Sequence, residues 1–158
     1  YRARFIAEEP QMGAVSLPSL RRFMSEDDIF NDNAMWHYHT KDNPSLKFTL
    51  FGCLSNVSEK ILGSFTDPAD KLFKLQYIQY EWIRVTLEQA RRNAFFCSGI
   101  IYWMMNDCWP AASGWALIDY YNKPKNLYQS AFDMQKYILC LPSSPCTSDT
   151  MLPCSYHY

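Results

Sequence analysis

"SGIIYWMMNDCWPAASGWALIDYYNKPK", residues 98–125, sets three tryptophans and three tyrosines around an Asn-Asp pair in the most apolar part of the chain. A β-branched and aromatic run that ends in fixed polar groups reads as a buried strand delivering side chains to a site. The spacing therefore predicts a strand over 95–107, "FFCSGIIYWMMND", with Asn106 and Asp107 at its end. Upstream, Asp67-Pro68 is a helix start, with a side-chain acceptor at the N-cap and proline at the first helical position. That helix should run to about Asn93, with Leu75, Ile78, Trp82 and Val85 on one apolar face.

Further out, "RARFIAEE" at 2–9 predicts a short buried strand whose two carboxylates sit at its end. "PSLRRFMSEDDIF", 18–30, should form one or two helical turns, and "WHYHTKDNP", 36–44, an aromatic and polar loop. Residues 45–65 are mixed and give no assignment. A second helix is expected from about Pro124 to Leu139, with Leu127, Ala131, Met134 and Ile138 on one face. The stretch 140–158, rich in Pro, Ser and Cys, reads as an irregular tail outside a domain of residues 1–139. Strands alternating with helices indicate an α/β fold with a parallel sheet, in which chemistry collects at the carboxyl ends of the strands.

The chain has 158 residues, enough for one core, and a net charge of -1, which offers no basic surplus for nucleic acid or anionic lipid. The longest apolar run, 99–105, is too short to span a bilayer, and no signal-peptide pattern opens the sequence. Because it starts with Tyr1 rather than Met, the true beginning is expected upstream. The compartment stays open between secreted, lysosomal and cytoplasmic, and the oligomeric state is not set. The sequon Asn56-Val57-Ser58 would matter in a secreted protein. Six cysteines lack a CxxC pair or zinc spacing, and Cys97 and Cys108 read as free buried thiols. His37 and His39 could face one way on a strand, but without a third ligand aromatic packing is the better reading, so no metal or other cofactor is called for.

An aromatic content of 16% exceeds what a core needs, and Trp103, Trp109 and Trp115 read either as core or as platforms. Asn106 and Asp107 between indoles suit a sugar, which has hydroxyl edges and an apolar face. Glu8 and Glu9 read either as solvated loop charges or as one functional carboxylate, since strand alternation sends them to opposite faces.

"IIYWMMNDCWPAASGWALIDYYNKPK", 100–125, resembles the final barrel strand and following loop of the β-mannosidase branch of glycoside hydrolase family 2. That branch shows Tyr-Trp, then Asn-Asp-x-Trp-Pro, a Trp, Ile-Asp-Tyr-Tyr and Lys-Pro or Arg-Pro. "RFIAEEPQMGAVSLPSLRRFM", 4–24, is similar to its seventh-strand segment, and "MWHYHT", 35–40, to an aromatic loop, so the resemblance covers about residues 2–139. It implies the C-terminal portion of a (β/α)₈ TIM barrel and a retaining hydrolase that removes terminal β-linked mannose from oligosaccharides or glycans. Glu8 matches the nucleophile, with Ala7 where Ser is common. Glu9 is the alternative, because Glu9, Pro10, Gln11 and Met12 stand before Gly13 where the family has an aromatic and Gly directly after the Glu. Trp103 would floor the sugar subsite, and Asn106, Asp107 and Trp109 would be wall or hydroxyl-binding residues, or scaffolding behind it.

The implied acid/base Glu follows an Asn upstream of this chain, so the fragment alone is expected to be inactive. The β-sandwich that follows the family's barrel has no counterpart in 140–158, where a truncated or out-of-frame end would account for the tail. Exo-β-glucosaminidase or β-galactosidase-type activity on the same scaffold remains open, as does a non-catalytic carbohydrate-binding relic. A metal-binding protein using His37, His39 and the tail cysteines is the third class, and would carry stoichiometric zinc.

Overall fold

The computed structural model of the chain describes residues 3–41 and 50–125. Along them run β1 (Ile6–Glu9), β2 (Gly13–Ala14), α1 (Leu17–Leu20), α2 (Glu26–Phe30), α3 (Ala34–His39), α4 (Leu50–Leu62), α5 (Pro68–Arg92), β3 (Ile100–Tyr102) and β4 (Ser113–Gly114). The fold is α/β: β1 and β3 pair in parallel, joined through the helices and with α5 behind them. The expected helix over 124–139 lies outside the described residues except at its first two positions, and the tail lies wholly outside them.

α5 starts as its sequence predicts. The Asp67 carboxylate accepts the Ala69 and Asp70 amides at 2.8 and 3.0 Å, satisfying two donors that the first turn leaves without a partner. Its buried side differs from the expected apolar stripe. Leu75 and Ile78 are buried and Trp82 packs against the same core, but Val85 is 47% exposed. Gln79, Ile83, Thr86 and Ala90 are buried instead. The reason is a change of partner along the helix. Its first half packs on α4 and the core of Leu20, Ile29, Trp36, Phe51 and Leu54, whereas Ala90 packs with Ile6 behind the strands. Polar Gln79 and Thr86 face loop and strand groups there, so hydrophobicity alone hides that side.

Residues 36–39, expected in a loop, are helical. The Asn33 side chain caps α3 by accepting the Met35 amide at 3.0 Å. Trp36 is fully buried, stacked on Phe51 at 4.4 Å, and its indole N–H donates to the Ile29 carbonyl at 3.1 Å. Burying each ring contributes about 1.5–3 kcal/mol, enough to override the weak helix preference of "AMWHYH". The unassigned segment supplies α4, whose Phe51 and Leu54 enter this core and which ends at Gly63 with φ of +82°. Residues 18–30 divide into α1, with proline in its first turn, and α2, started by a Ser25 and Asp28 capping box.

The strand predicted over 95–107 is much shorter, and only one side of it is covered. Ile6 pairs with Ile100 and Glu9 with Tyr102, with a register irregularity between. Ile6, Glu9 and Tyr102 face α5 and its attachments. Phe5, Ile101 and Trp103 are 50, 54 and 42% exposed, because alternation turns them to the side with no covering layer. Beyond this pair, β2 and β4 form an antiparallel contact that ties the segment after β1 to the loop after β3, Gly13 opposite Gly114. Gly13 is needed for space: a Cβ there would lie 1.8 Å from Gln79 Oε1. Cys97 is buried and free, but Cys108, expected to be buried, is exposed.

Candidate functional site

The two glutamates at the end of β1 part company. Glu9 is buried, and its Oε1 accepts from Gln11 Nε2 at 2.7 Å and from the Thr86 hydroxyl of α5 at 3.4 Å. Glu8 is exposed on the other side of the strand, the side that carries Ile101 and Trp103. Alternation thus gives this bare face a carboxylate at the end of one parallel strand and an indole at the end of its neighbour. The Trp103 ring lies 5.9 Å from that of Trp115, tilted by 36°. Behind them, the Tyr102 hydroxyl donates to the Trp115 carbonyl at 2.5 Å, fixing the loop to the strand, and burial pushes the Tyr102 pKa up.

Asp107 does not share that face. Its side chain has no exposure; Lys41 Nζ donates to Oδ1 at 2.6 Å and Lys125 Nζ stands 3.9 Å from Oδ2. Lys125, fully buried as well, donates to the Gly114 carbonyl at 3.0 Å. Two lysines far apart in sequence thus converge on one carboxylate. Asp119 makes the next turn in the same way, accepting the Tyr121 and Lys123 amides at 2.9 Å each and the Ser19 hydroxyl. Asn122 takes φ of +59° inside that turn, a region asparagine tolerates. Asn106 is exposed. Trp109 is half-buried, stacked on His39 at 5.4 Å with 18° between the planes.

His39 Nδ1 lies 2.8 Å from the Pro110 carbonyl, and since a carbonyl can only accept, the ring donates. His37 is exposed beside Asp32 at 3.5 Å. On a helix, residues two apart do not face one way, so the expected strand geometry for a histidine pair is absent. Among the described residues no three His, Cys, Asp or Glu side chains gather where an ion could be held.

With Glu9 opposite Tyr102 and both turned toward α5, Glu8 and Trp103 are exposed on the other side; Asn106 and Trp109 lie in the segment after β3, Trp109 against Tyr38 and His39, and Asp107 is taken inside. Lys41, Lys125 and Tyr102 were not singled out from sequence. A Lys-Pro-Lys ending carries no sign that its last ammonium is buried, and nothing local links Lys41 to Asp107.

Burial also lowers the pKa of two lysines, Lys71 and Lys125, to about 8 from 10.5. For Lys125 the Lys41 charge adds to desolvation, while Asp107 and Asp119 oppose it. Between pH 8 and 10.5 the unfolded chain then holds protons the folded state has released, so stability rises with pH. Above about pH 10 the raised Tyr102 works in the opposite sense, because unfolded tyrosine ionises first. Denaturant midpoints should therefore increase from pH 8 to 10, and Lys71→Met and Lys125→Met should each flatten the profile. A wild-type midpoint that falls over that interval would contradict the buried-lysine geometry.

No protein-family profile matches the chain. It is 32% identical over 126 residues to an exo-β-D-glucosaminidase of Hypocrea jecorina, a stretch that is 74% of this chain and 14% of that enzyme. It is 34% identical over 70 residues to β-mannosidase B of Aspergillus niger, covering 42% of this chain and 8% of that protein. The crystal structure of a β-D-mannosidase from Dictyoglomus thermophilum superposes with a TM-score of 0.68 at 26% identity, over 79% of this chain and 15% of that one. The chain thus spans a small part of the length of the relatives it matches. With both relatives and the solved structure on the same side of one enzyme family, the chain belongs to glycoside hydrolase family 2 as a β-mannosidase-like C-terminal region.

Proposed function

We propose that this chain forms the last quarter of a (β/α)₈ catalytic barrel in a longer protein, a retaining hydrolase that removes terminal β-linked mannose from oligosaccharides or glycans. The observation that carries the reading is the pairing of Glu8 with Trp103 on the face of β1 and β3 that α5 leaves bare. In a barrel that face is the interior and the strand ends are where substrate sits. Phe5, Ile101 and Met105, half-exposed here, would be covered by the remaining strands.

In this reading Glu8 attacks the anomeric carbon, the C1–O bond to the leaving group breaks, and a glycosyl-enzyme ester forms. A second carboxyl group, from an Asn-Glu elsewhere in the longer protein, protonates the departing oxygen and then takes a proton from the water that cleaves the ester. Trp103 offers its ring to the apolar face of the sugar, and in the same reading Asn106 and Trp109 contact its hydroxyls and edge. Asp107 acts at one remove, holding the loop that carries them. Its link to Lys41 and Lys125 supports that role.

Hydrolysis of terminal β-linked glucosamine is the second reading, favoured by the name of the Hypocrea jecorina relative. The test is to treat the full-length protein with a 2-deoxy-2-fluoro-β-mannoside carrying a good leaving group and locate the label by mass spectrometry. Labelled Glu8 is expected. Labelled Glu9 would keep the reaction and move the register by one. A competent full-length protein that labels at neither would overturn the nucleophile assignment. A protein that turns over glucosaminides but not mannosides would replace the substrate.

A further inference from the structure

At the far end of α5, away from the Glu8 face, a cleft of about 470 Å³ opens between α2, α4 and the start of α5. The volume lies within the range of small-molecule sites, about 300–1,000 Å³. One wall is a stripe of α4 carrying Gly52, Ser55, Asn56 and Glu59. A side of a helix that lines a concavity with a hydroxyl, an amide and a carboxylate is offering hydrogen bonds there. Asp32, whose carboxylate also stands 3.5 Å from His37 Nε2, and Phe65 line the cleft too, and the buried side chain of Lys71 reaches it from α5.

Lys71 is the group that the packing alone does not explain. Its ammonium is held over the rings of Trp36, Phe51 and Phe65 at 4.6, 5.7 and 5.9 Å and donates to the Phe30 carbonyl at 2.8 Å. An ammonium has three donors, and this one makes no carboxylate contact among the described residues. Asp32 and Glu59 act on it through space, favouring its charged form against burial. The cleft therefore presents an inner donor, two outer carboxylates, amide and hydroxyl groups between them, and an aromatic edge. The matching ligand has acceptor oxygens at one end, a cationic donor at the other and an apolar face.

We infer that this cleft binds a small polyhydroxylated amine, an amino-sugar unit, with its hydroxyls toward Lys71 and Asn56 and its ammonium between Asp32 and Glu59. Lys71 and Thr86 are separated by about 22 Å of helix at 1.5 Å per residue, so this site is not the one beside Glu9 and Glu8. The inference stands without the hydrolase assignment.

Isothermal titration of the full-length protein with glucosamine and, separately, with mannose tests it. Glucosamine should bind, and mannose, lacking the ammonium, about fivefold or more weakly, as expected for a rim charge pair. Glu59→Gln and Asp32→Asn, both at exposed positions, should each raise the glucosamine Kd about fivefold and leave the mannose Kd unchanged. No heat with glucosamine up to tens of millimolar, or a glucosamine Kd unmoved by both substitutions, would overturn the inference. Asp32 and Glu59 lie away from the Glu8 face, so a glucosamine Kd that their substitution raises reports this cleft whether or not Glu8 takes the covalent label.

Discussion

Glu8→Gln in the full-length protein should lower kcat for an aryl β-mannoside by about 10⁴- to 10⁶-fold, the loss expected when a covalent nucleophile is removed. The amide keeps the shape and hydrogen-bonding reach of the side chain but cannot form the glycosyl ester. Because the amide has nearly the same shape as the carboxylate, the variant should unfold at nearly the wild-type midpoint. Glu9→Gln sets the contrast. Its amide can keep a bond to Thr86 or Gln11, so activity should fall by about tenfold or less, through small shifts of β1. In Glu8→Ala, added azide should restore turnover and release an α-mannosyl azide, since the anion attacks from the side the carboxylate used. A Glu8→Gln enzyme with near-normal kcat, beside a dead Glu9→Gln, would transfer the nucleophile to Glu9 and place the strand one residue out.

The second large effect is on stability. Asp107→Ala removes the carboxylate that Lys41 and Lys125 share. Lys125 has no exposure, so its ammonium would be left uncompensated in the interior, and breaking such a pair costs about 3–5 kcal/mol. Most of that cost belongs to the stranded charge rather than to the lost contact. Adding Lys125→Met to Asp107→Leu should therefore recover much of the stability, and the measurement is a double-mutant cycle in denaturant. Activity separates the roles. If Asp107 only positions the loop, the repaired double variant should regain KM and kcat together. If it regains stability and kcat but keeps a raised KM, the carboxylate also contacts the sugar.

What the sequence made legible follows from how local each signal is. Asp67-Pro68 starts α5 with atoms three residues apart, so the helix could be read directly. The buried side of its second half could not, because Gln79 and Thr86 earn their places through the Gln11 carbonyl and Glu9, distant in sequence. α3 was missed for the same reason: Trp36 is held by Phe51, Ile29 and Lys71, none of them within its own segment. The candidate site divides similarly. Alternation separates the adjacent Glu8, exposed, from Glu9, buried, but the register irregularity between Ile6 and Glu9 that brings both of these toward α5 has no sign in the sequence. The placing of Asp107 is a tertiary matter, since a lone carboxylate after an apolar run looks the same whether it faces a ligand or two buried ammonium groups.

The parallel register of Ile6 with Ile100 and Glu9 with Tyr102 joins residues more than ninety positions apart. β1 leaves the ribosome first, yet its hydrogen-bonding partner in this pair does not exist until β3 has been made. At about 5–20 residues per second that delay is roughly 5 to 20 seconds. During it, α4 and α5 can close their core, since their contacts are near in sequence, while the backbone of β1 waits. The segment bearing Glu8 is therefore among the last to be locked, and substitutions that slow its docking should lower yield more than they lower the stability of the finished protein.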